Sequence, residues 1–528
     1  MEKRRVFPIG KQNFPDIITS GFVYVDKTEH IHNLSQTAGR FFLSRPRRFG
    51  KSLLCSTLHA YFEGRKELFK GLAIDKLEKE WKKHPVFHFD FSTTKYLEVD
   101  DLRRQLDIQL SELEELYGVN PEKEVSPAER LSGLIKRANE QTDEKVVIII
   151  DEYDAPLHDT ISNPDLKQQL RQIQRQFFSP LKHQDCNLHF IFITGITKFS
   201  QMSIFSELNN LKDISFMPEY ESICGITENE LTTTLREDIE AMAVKQKMSC
   251  QECLDRLKFF YDGYHFSDET TDVYNPFSLI NALSDKRFDT YWFSTGTPTF
   301  LLEMLTDRGQ VLSDIEGKNV LKDEFDTPTD ELVSILPVLY QSGYLTIKKY
   351  DNLSDRFTLG IPNEEVRRGL ASSLTNYYLL RGKSKKDRGF LMDAYDMFLQ
   401  TGDTKDLLEP LQTFLKGTSY SLLRQNESLY QSIFYTWLIA AGADVQVEKT
   451  LADGRIDILL KMDFGIWIFE FKYNKSADEA IDQIRTRRYM DALRGDSRPV
   501  HLIGVNINKK KRNIDEWKEI SDLEMTSS

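Results

Sequence analysis

Arg45-Pro46-Arg47-Arg48-Phe49-Gly50-Lys51-Ser52 is the stretch on which the reading of the fold turns. Apolar Phe41-Phe42-Leu43 precedes it and the helix-like run Leu53 to Phe62 follows it, so the octapeptide joins a strand to a helix. Gly50 lets the backbone approach a phosphate, and Lys51 reaches for the β- and γ-phosphates. Ser52 stands at the first turn of the helix, where it would hold Mg²⁺. Arg47 and Arg48 lie inside the loop, where they could contact phosphate oxygens or equally face solvent, and Phe49 and Leu53 bracket the Gly-Lys-Ser core. One position departs from the general phosphate-loop motif: Arg45 stands where that motif has its first glycine.

A second strand supplies acids. The β-branched run Val146 to Ile150 reads as a buried central strand, and Asp151-Glu152 emerges at its C-terminal tip, where ligands of open α/β sheets bind. Asp151 is expected to orient Mg²⁺ through Ser52, and Glu152 to polarise water for attack on the γ-phosphate of ATP. The strand Phe190–Thr194 ends in small polar groups, which assigns Thr194, with Thr197 as the alternative, to γ-phosphate sensing. The run Val86–Phe91 lies between the two motifs and reads as the extra strand of the ATPase branch that uses a catalytic glutamate. Short strands alternating with helical segments predict a parallel sheet with helices on both faces.

Beyond Ile226 the pattern is helical, opened by Thr227 as N-cap with Glu230 three residues on. Leu332–Gln341 followed by Tyr344–Ile347 and Phe357–Leu359 predicts a helix and a β-hairpin, a winged-helix-like end to a lid. The expected divisions are 1–225 for the nucleotide domain, 226–360 for the lid, 361–420 for a helical connector and 421–528 for a last α/β domain.

The composition narrows the classes. At 528 residues with 40% hydrophobic and 29% charged content, several soluble globular domains are expected. No apolar run approaches the roughly 18 residues of a membrane span, and the N-terminus lacks the apolar stretch of a signal peptide. A cytoplasmic protein with no membrane partner is therefore expected. Five cysteines make no disulfide framework, and Cys250-x-x-Cys253 lacks the second ligand pair of a zinc site. The net charge of −13 argues against a wholly basic nucleic-acid coat and leaves room for a local basic groove. Lys509 to Arg512 and Arg485 to Arg488 are such local exceptions.

Near the C-terminus, Gly454-Arg-Ile-Asp457 is followed across a turn by Ile466-Trp-Ile-Phe-Glu470-Phe471-Lys472. Glu470 and Lys472 share one face of a strand, and Asp457 on the neighbouring strand can meet its tip. Two carboxylates and the Phe471 carbonyl make an oxygen-rich site for Mg²⁺ or Mn²⁺, with Lys472 placed to activate water against a phosphodiester.

These segments resemble a known family. Tyr24-Val-Asp26-Lys27-Thr28, the octapeptide, Ile150-Asp-Glu-Tyr-Asp154 and Gly195 to Ser200 running on to Asn209-Asn210-Leu211 are similar to the AAA-ATPase-like proteins of bacteria, which typically end in a PD-(D/E)xK nuclease-like domain. In that family Arg-Pro replaces the first loop glycine, and the Tyr24–Thr28 segment precedes the phosphate-loop strand, near the nucleotide base. The resemblance implies a P-loop NTPase sheet, a helical and winged-helix-like lid, and a C-terminal α/β restriction-endonuclease-like domain. It adds Glu427 as an upstream metal ligand, with Gln483 and Tyr489 as accessory positions and Arg485, Arg487 and Arg488 at phosphates. The implied activity is ATP hydrolysis coupled to metal-dependent cleavage of DNA or RNA, in a chain that would tolerate homo-oligomerisation. The alternative is an ATP-dependent switch whose last domain binds nucleic acid or a protein without cutting.

Overall fold

In the computed structural model, the four apolar runs of the first 200 residues become four strands: β1 (Arg40–Ser44), β2 (Val86–Asp90), β3 (Val146–Asp151) and β4 (Leu188–Gly195). With β5 (Lys212–Asp213) they form a parallel sheet in the order β2-β3-β4-β1-β5. The structure describes residues 5–37, 39–160, 163–198, 211–267, 271–294, 301–302, 304–305, 312–326, 334–380, 385–416, 427–451, 454–486 and 496–521.

Every residue of β3 is buried. That is why its sequence is an unbroken apolar run: a parallel strand is covered by helices on both faces and has no solvent side to alternate with. On one face Leu102, Leu106 and Leu110 of the helix Val99–Tyr117 join Leu131, Leu134 and Ile135 of the helix Pro127–Thr142 in a core with Phe87, Phe89 and Ile148.

In space β4 stands between β1 and β3, while β2 takes the outer edge. The extra strand that separates the phosphate loop from the acidic strand is therefore β4, which corrects the assignment of Val86–Phe91 to that place. Order along the chain misled here, because crossover helices let a parallel strand dock beside any neighbour.

The helical segment begins as expected. Thr227 and Glu230 form a reciprocal capping box on the helix Glu228–Thr234. Arg236–Gln246, Cys250–Tyr261 and Pro276–Asp285 follow and share a core of Leu231, Met242, Leu257, Tyr261 and Leu279. Cys253 faces that core and Cys250 faces solvent, so the pair marks an amphipathic helix and not a ligand set. A short helix, Leu336–Gln341, leads into the hairpin of β7 (Thr346–Asp351) and β8 (Arg356–Gly360), and β6 (Lys318–Leu321) adds a third strand in a winged-helix-like end. Residues 332 and 333, the start of the expected helix, lie outside the described residues. β6 left no sequence signal because only Val320 of its four residues is buried.

The chain divides into two compact units: Met1–Thr295 with Gly317–Glu364, and Gly296–Glu316 with Glu365–Ser528. In the second unit a sheet runs in the order β13-β12-β11-β10-β9, where β9 is Val445–Leu451, β10 Gly454–Met462, β11 Gly465–Tyr473, β12 Val500–Asn508 and β13 Asn513–Ser521. Only β11 and β12 pair in parallel, with the helix Ala477–Thr486 as their crossover. The helices Lys385–Thr401 and Lys405–Lys416 pack on this sheet. Phe398 meets Trp467 at 5.0 Å, and Gln412 donates to Ile514 O at 2.9 Å. Lys509 to Lys511 are exposed in the turn between β12 and β13.

Candidate nucleotide site and candidate nuclease site

The carboxyl ends of β1, β3 and β4 bring together the residues that the sequence singled out in the first half. Arg48 (φ 68°) and Gly50 (φ 92°) both adopt the left-handed conformation and tighten the loop onto the helix Lys51–Phe62. Lys51 is buried. Its Nζ donates to Arg45 O (3.1 Å) and Pro46 O (3.2 Å) and pairs with Glu152 Oε1 at 3.1 Å. Glu152 itself is left-handed at φ 51°. A non-glycine residue there costs on the order of 1 kcal/mol, a strain that concentrates at functional sites.

Asp151 is 1% exposed and hydrogen-bonded to Ser52. Burial, and then the charge of Glu152, pushes its carboxyl up to about 7, against the pull of Ser52 and Lys51. Its Oδ1 is buried without a hydrogen-bond partner among the described residues. A carboxylate held near neutrality with an open oxygen is a group that a divalent cation would ionise and ligate, so Ser52 and Asp151 fit Mg²⁺ as hard oxygen donors.

Arg45 explains its own departure from the motif. It is 1% exposed, and its guanidinium donates to the carbonyls of Ser44 (2.9 Å), Ser215 (2.8 Å) and Tyr220 (3.0 Å) while stacking 4.2 Å from the Phe266 ring centre. It fastens the loop to protein. The motif-restoring Arg45→Gly exchange should therefore destabilise the first unit by on the order of 3 kcal/mol, since three carbonyls lose their donor. Thermal unfolding checks this: a midpoint at or above that of the wild type would show that Arg45 braces nothing.

Arg47 and Arg48, expected at phosphates, have exposed side chains, and the Arg48 guanidinium lies 4.9 Å over Phe277. The loop backbone is held from the helical side. Trp292 Nε1 donates to Arg47 O at 3.3 Å, and Phe49 packs edge-on against Tyr264 (4.8 Å) and Phe266 (5.3 Å). Beside Gly50 and Leu53 opens an apolar cavity walled by Tyr24, Val25, Ile223 and Ile280. The Tyr24–Thr28 segment forms its rim because Lys27 pairs with Glu230 at 2.6 Å and Asp26 accepts from Ala73 N at 2.7 Å.

Thr194 is fully buried and its hydroxyl donates to Leu43 O at 2.8 Å, tying β4 to β1. Thr197 donates through N and Oγ1 to Asp154 Oδ2, both at 2.7 Å. Asp154 is the residue whose role sequence reasoning missed. Burial alone would raise its carboxyl, but the charge and hydrogen bond of His158 and the bonds from Thr197 hold it at about 2. It clamps the segment after β4, and Gly195 must be glycine because a Cβ there would lie 2.4 Å from Asp154 Oδ1. Its motif neighbours gave no hint of the clamp, since Thr197 sits some 40 residues downstream.

In the second unit, β10 and β11 pair with Ile458 opposite Phe469, a register that sets Asp457 beside Glu470. Phe471 N donates to Asp457 Oδ2 at 2.8 Å. Lys472 Nζ donates to Glu470 Oε1 (2.8 Å) and Phe471 O (2.9 Å), so the carbonyl expected to hold a metal accepts from this ammonium. Glu427, at the start of the helix Glu427–Ala440, accepts from Tyr473 N at 3.0 Å and lies 3.9 Å from Lys472 Nζ. Gln483 hydrogen-bonds Glu470. Burial raises the Asp457 carboxyl to about 6, with Glu427 adding to it and Phe471 N–H and Lys472 opposing. Three carboxylates converging on one lysine fit a divalent cation, because one ammonium leaves the cluster short of positive charge.

Gln431, hydrogen-bonded to Asp457, was not anticipated. Its signal was its place four residues after Glu427, one helical turn along the same face. Arg485 is exposed on the helix Ala477–Thr486, while Arg487, Arg488 and Tyr489 lie outside the described residues.

Two family models match separate parts of the chain. Residues 8–205 match the one described as predicted AAA-ATPase, and residues 425–517 match the PD-(D/E)XK nuclease superfamily. A protein from Azotobacter chroococcum mcd 1, described as an uncharacterized protein in the vnfD 5′ region, is 32% identical over 97% of this chain and 98% of its own. Among solved structures, the Aeropyrum pernix ORC1 protein in complex with DNA is similar over 65% of this chain and 91% of that one. Its 12% identity and TM-score of 0.22 carry no argument. Among the described residues no helix is long and apolar enough to cross a membrane.

Proposed function

The chain belongs to the AAA-ATPase-like family and carries a C-terminal domain of the PD-(D/E)xK nuclease superfamily, and we propose that it hydrolyses ATP in its first unit and cleaves DNA or RNA phosphodiesters in its second. The observation that carries the reading is the meeting of Glu427, Asp457, Glu470 and Lys472 at one strand tip. Chain segments up to 45 residues apart supply these groups, and nothing about folding requires three acids to converge there.

In the nucleotide site, the apolar cavity beside Tyr24 and Leu53 takes the base, and the free N–H groups that open the helix Lys51–Phe62 face the phosphates. Lys51 exchanges Glu152 and the loop carbonyls for the β- and γ-phosphates, which frees Glu152 to accept a proton from the attacking water. Ser52 and Asp151 would hold Mg²⁺, whose chemistry is to neutralise charge on the transferring phosphoryl group. Arg47 and Arg48 remain at the loop surface, within reach of a phosphate tail. Thr194 keeps β4 in register with β1, so that the segment Gly195–Lys198 faces the γ-phosphate.

In the nuclease site, Asp457, Glu470 and Glu427 would hold Mg²⁺ or Mn²⁺. Lys472, fixed by Glu470, orients the water that attacks phosphorus, and Gln483 keeps Glu470 in place. Arg485 offers a phosphate contact on the flanking helix. The helices Lys385–Thr401 and Lys405–Lys416 act as the mount of this domain.

Glu152→Gln tests the ATPase half. It keeps the shape and removes the base, so ATP binding should persist while turnover falls by about 100-fold or more. Turnover at the wild-type rate in that variant would refute the assignment of Glu152.

A further inference from the structure

One cluster beside the nucleotide site adds to Asp151 two donors, buried Cys55 and half-buried His88, that neither chemistry calls for. Cys55 on the helix Lys51–Phe62, His88 on β2 and Asp151 on β3 each offer a ligand atom, and the three atoms lie within 4.8 Å of one another. The fold brings them together from three elements. Cys55 follows Lys51 by one helical turn, and the pairing of β2 with β3 sets Asp90 opposite Asp151, two residues from His88 on the same strand face.

Cys55 is fully buried and Asp151 1% exposed. His88 Nε2 and Asp151 Oδ1 are buried atoms without a hydrogen-bond partner among the described residues, and His88 Nδ1 lies 3.4 Å from His59 Nδ1. An unpaired buried polar atom is costly, and nothing in Mg²⁺ chemistry calls for a thiol or an imidazole at this place. Thiolate, imidazole and carboxylate together are a donor set for Zn²⁺ or Co²⁺. Tetrahedral bonds of the usual length set ligand atoms about 3.6 Å apart, so side-chain shifts of about 1 Å close the cluster around an ion.

We propose that Cys55, His88 and Asp151 form a Zn²⁺ site and that the bound ion, by taking the Asp151 carboxylate, switches the nucleotide site off. The second half of this statement rests on the ATPase reading above; the first does not. Binding releases to solvent the Cys55 thiol proton and any proton on the Asp151 carboxyl, and leaves the fourth position to water. No redox step is involved.

Co²⁺ serves as the probe, with the full-length chain. Titration should raise a thiolate-to-cobalt charge-transfer band that is lost in Cys55→Ala and retained in Cys250→Ser. In His88→Gln the Co²⁺ affinity should fall by at least about 100-fold. A band that survives both Cys55→Ala and His88→Gln overturns the site. Zn²⁺ should also raise the melting temperature of the wild type and not of Cys55→Ala, and an equal rise in both would overturn it too. If Cys55→Ala does not fold, His88→Gln decides the same question. Zn²⁺ should inhibit ATP turnover of the wild type and spare His88→Gln; equal inhibition of both overturns the switch. Absence of turnover in the metal-stripped, Mg²⁺-supplied wild type would instead fail the ATPase reading, and the Co²⁺ band would still decide the site.

Discussion

Lys51→Ala should reduce ATP turnover by about 1,000-fold and weaken ATP binding, the largest single loss expected in the first unit. Lys51 is a buried cation at the head of the helix, and it is held at Glu152 and two loop carbonyls by contacts of 3.1–3.2 Å. Its removal takes away the buried ammonium assigned to the β- and γ-phosphates, and a point charge on a long stem cannot be replaced by the backbone dipoles of the helix start. It also leaves Glu152 without its ion partner, so the strained conformation at φ 51° loses one of the contacts that hold it. Phosphate release from ATP and equilibrium binding of a fluorescent ATP analogue check both effects. Turnover unchanged in Lys51→Ala would remove the nucleotide site from this loop.

Asp457→Asn should lower cleavage of DNA or RNA by at least about 100-fold while leaving the second unit as stable as before, or more so. The sign follows from the carboxyl, which burial raises to about 6 in the folded chain, above its unfolded value of about 3.9. The folded state thus binds this proton more tightly than the unfolded one, and the metal-free wild type loses stability as pH rises through about 6. Asparagine removes that loss and can still accept from Phe471 N. For the same reason metal-dependent cleavage by the wild type should fall as pH drops below about 6, because a protonated Asp457 no longer ligates. Labelled single- and double-stranded DNA and RNA with Mg²⁺ or Mn²⁺, alongside thermal unfolding at about pH 8, where an aspartate of ordinary pKa is fully ionised, give both readouts. Equal cleavage by wild type and Asp457→Asn would sink the nuclease proposal. Equal and zero cleavage would favour an ATP-driven switch that binds without cutting.

The legible parts of this protein were those written in local pattern. Val146 to Asp151 announced a doubly covered strand through its apolar run, and Thr227 with Glu230 announced a helix start through a bond that spans three residues. Glu470 and Lys472 sit two apart, and a strand puts such residues on one face whatever the rest of the fold does. β6 stayed hidden because three of its four residues are exposed, and Gln431 stayed hidden because a glutamine on a helix looks like surface until its partner is known.

Spacing along a few residues was enough to specify the chemistry available: a loop with Gly50-Lys51-Ser52, an acidic strand tip, and a cassette of Asp457 with Glu470-x-Lys472. What those groups meet was settled by packing in three dimensions. It placed β4, not β2, between loop and acids, gave Arg45 to three backbone carbonyls, set Asp154 as a clamp on the segment after β4, and drew Cys55 and His88 to Asp151. The physical reason is range. Helix and strand periodicity act over one or two turns, whereas strand order and buried polar pairing are settled by crossover packing between segments tens of residues apart, where local pattern carries no information.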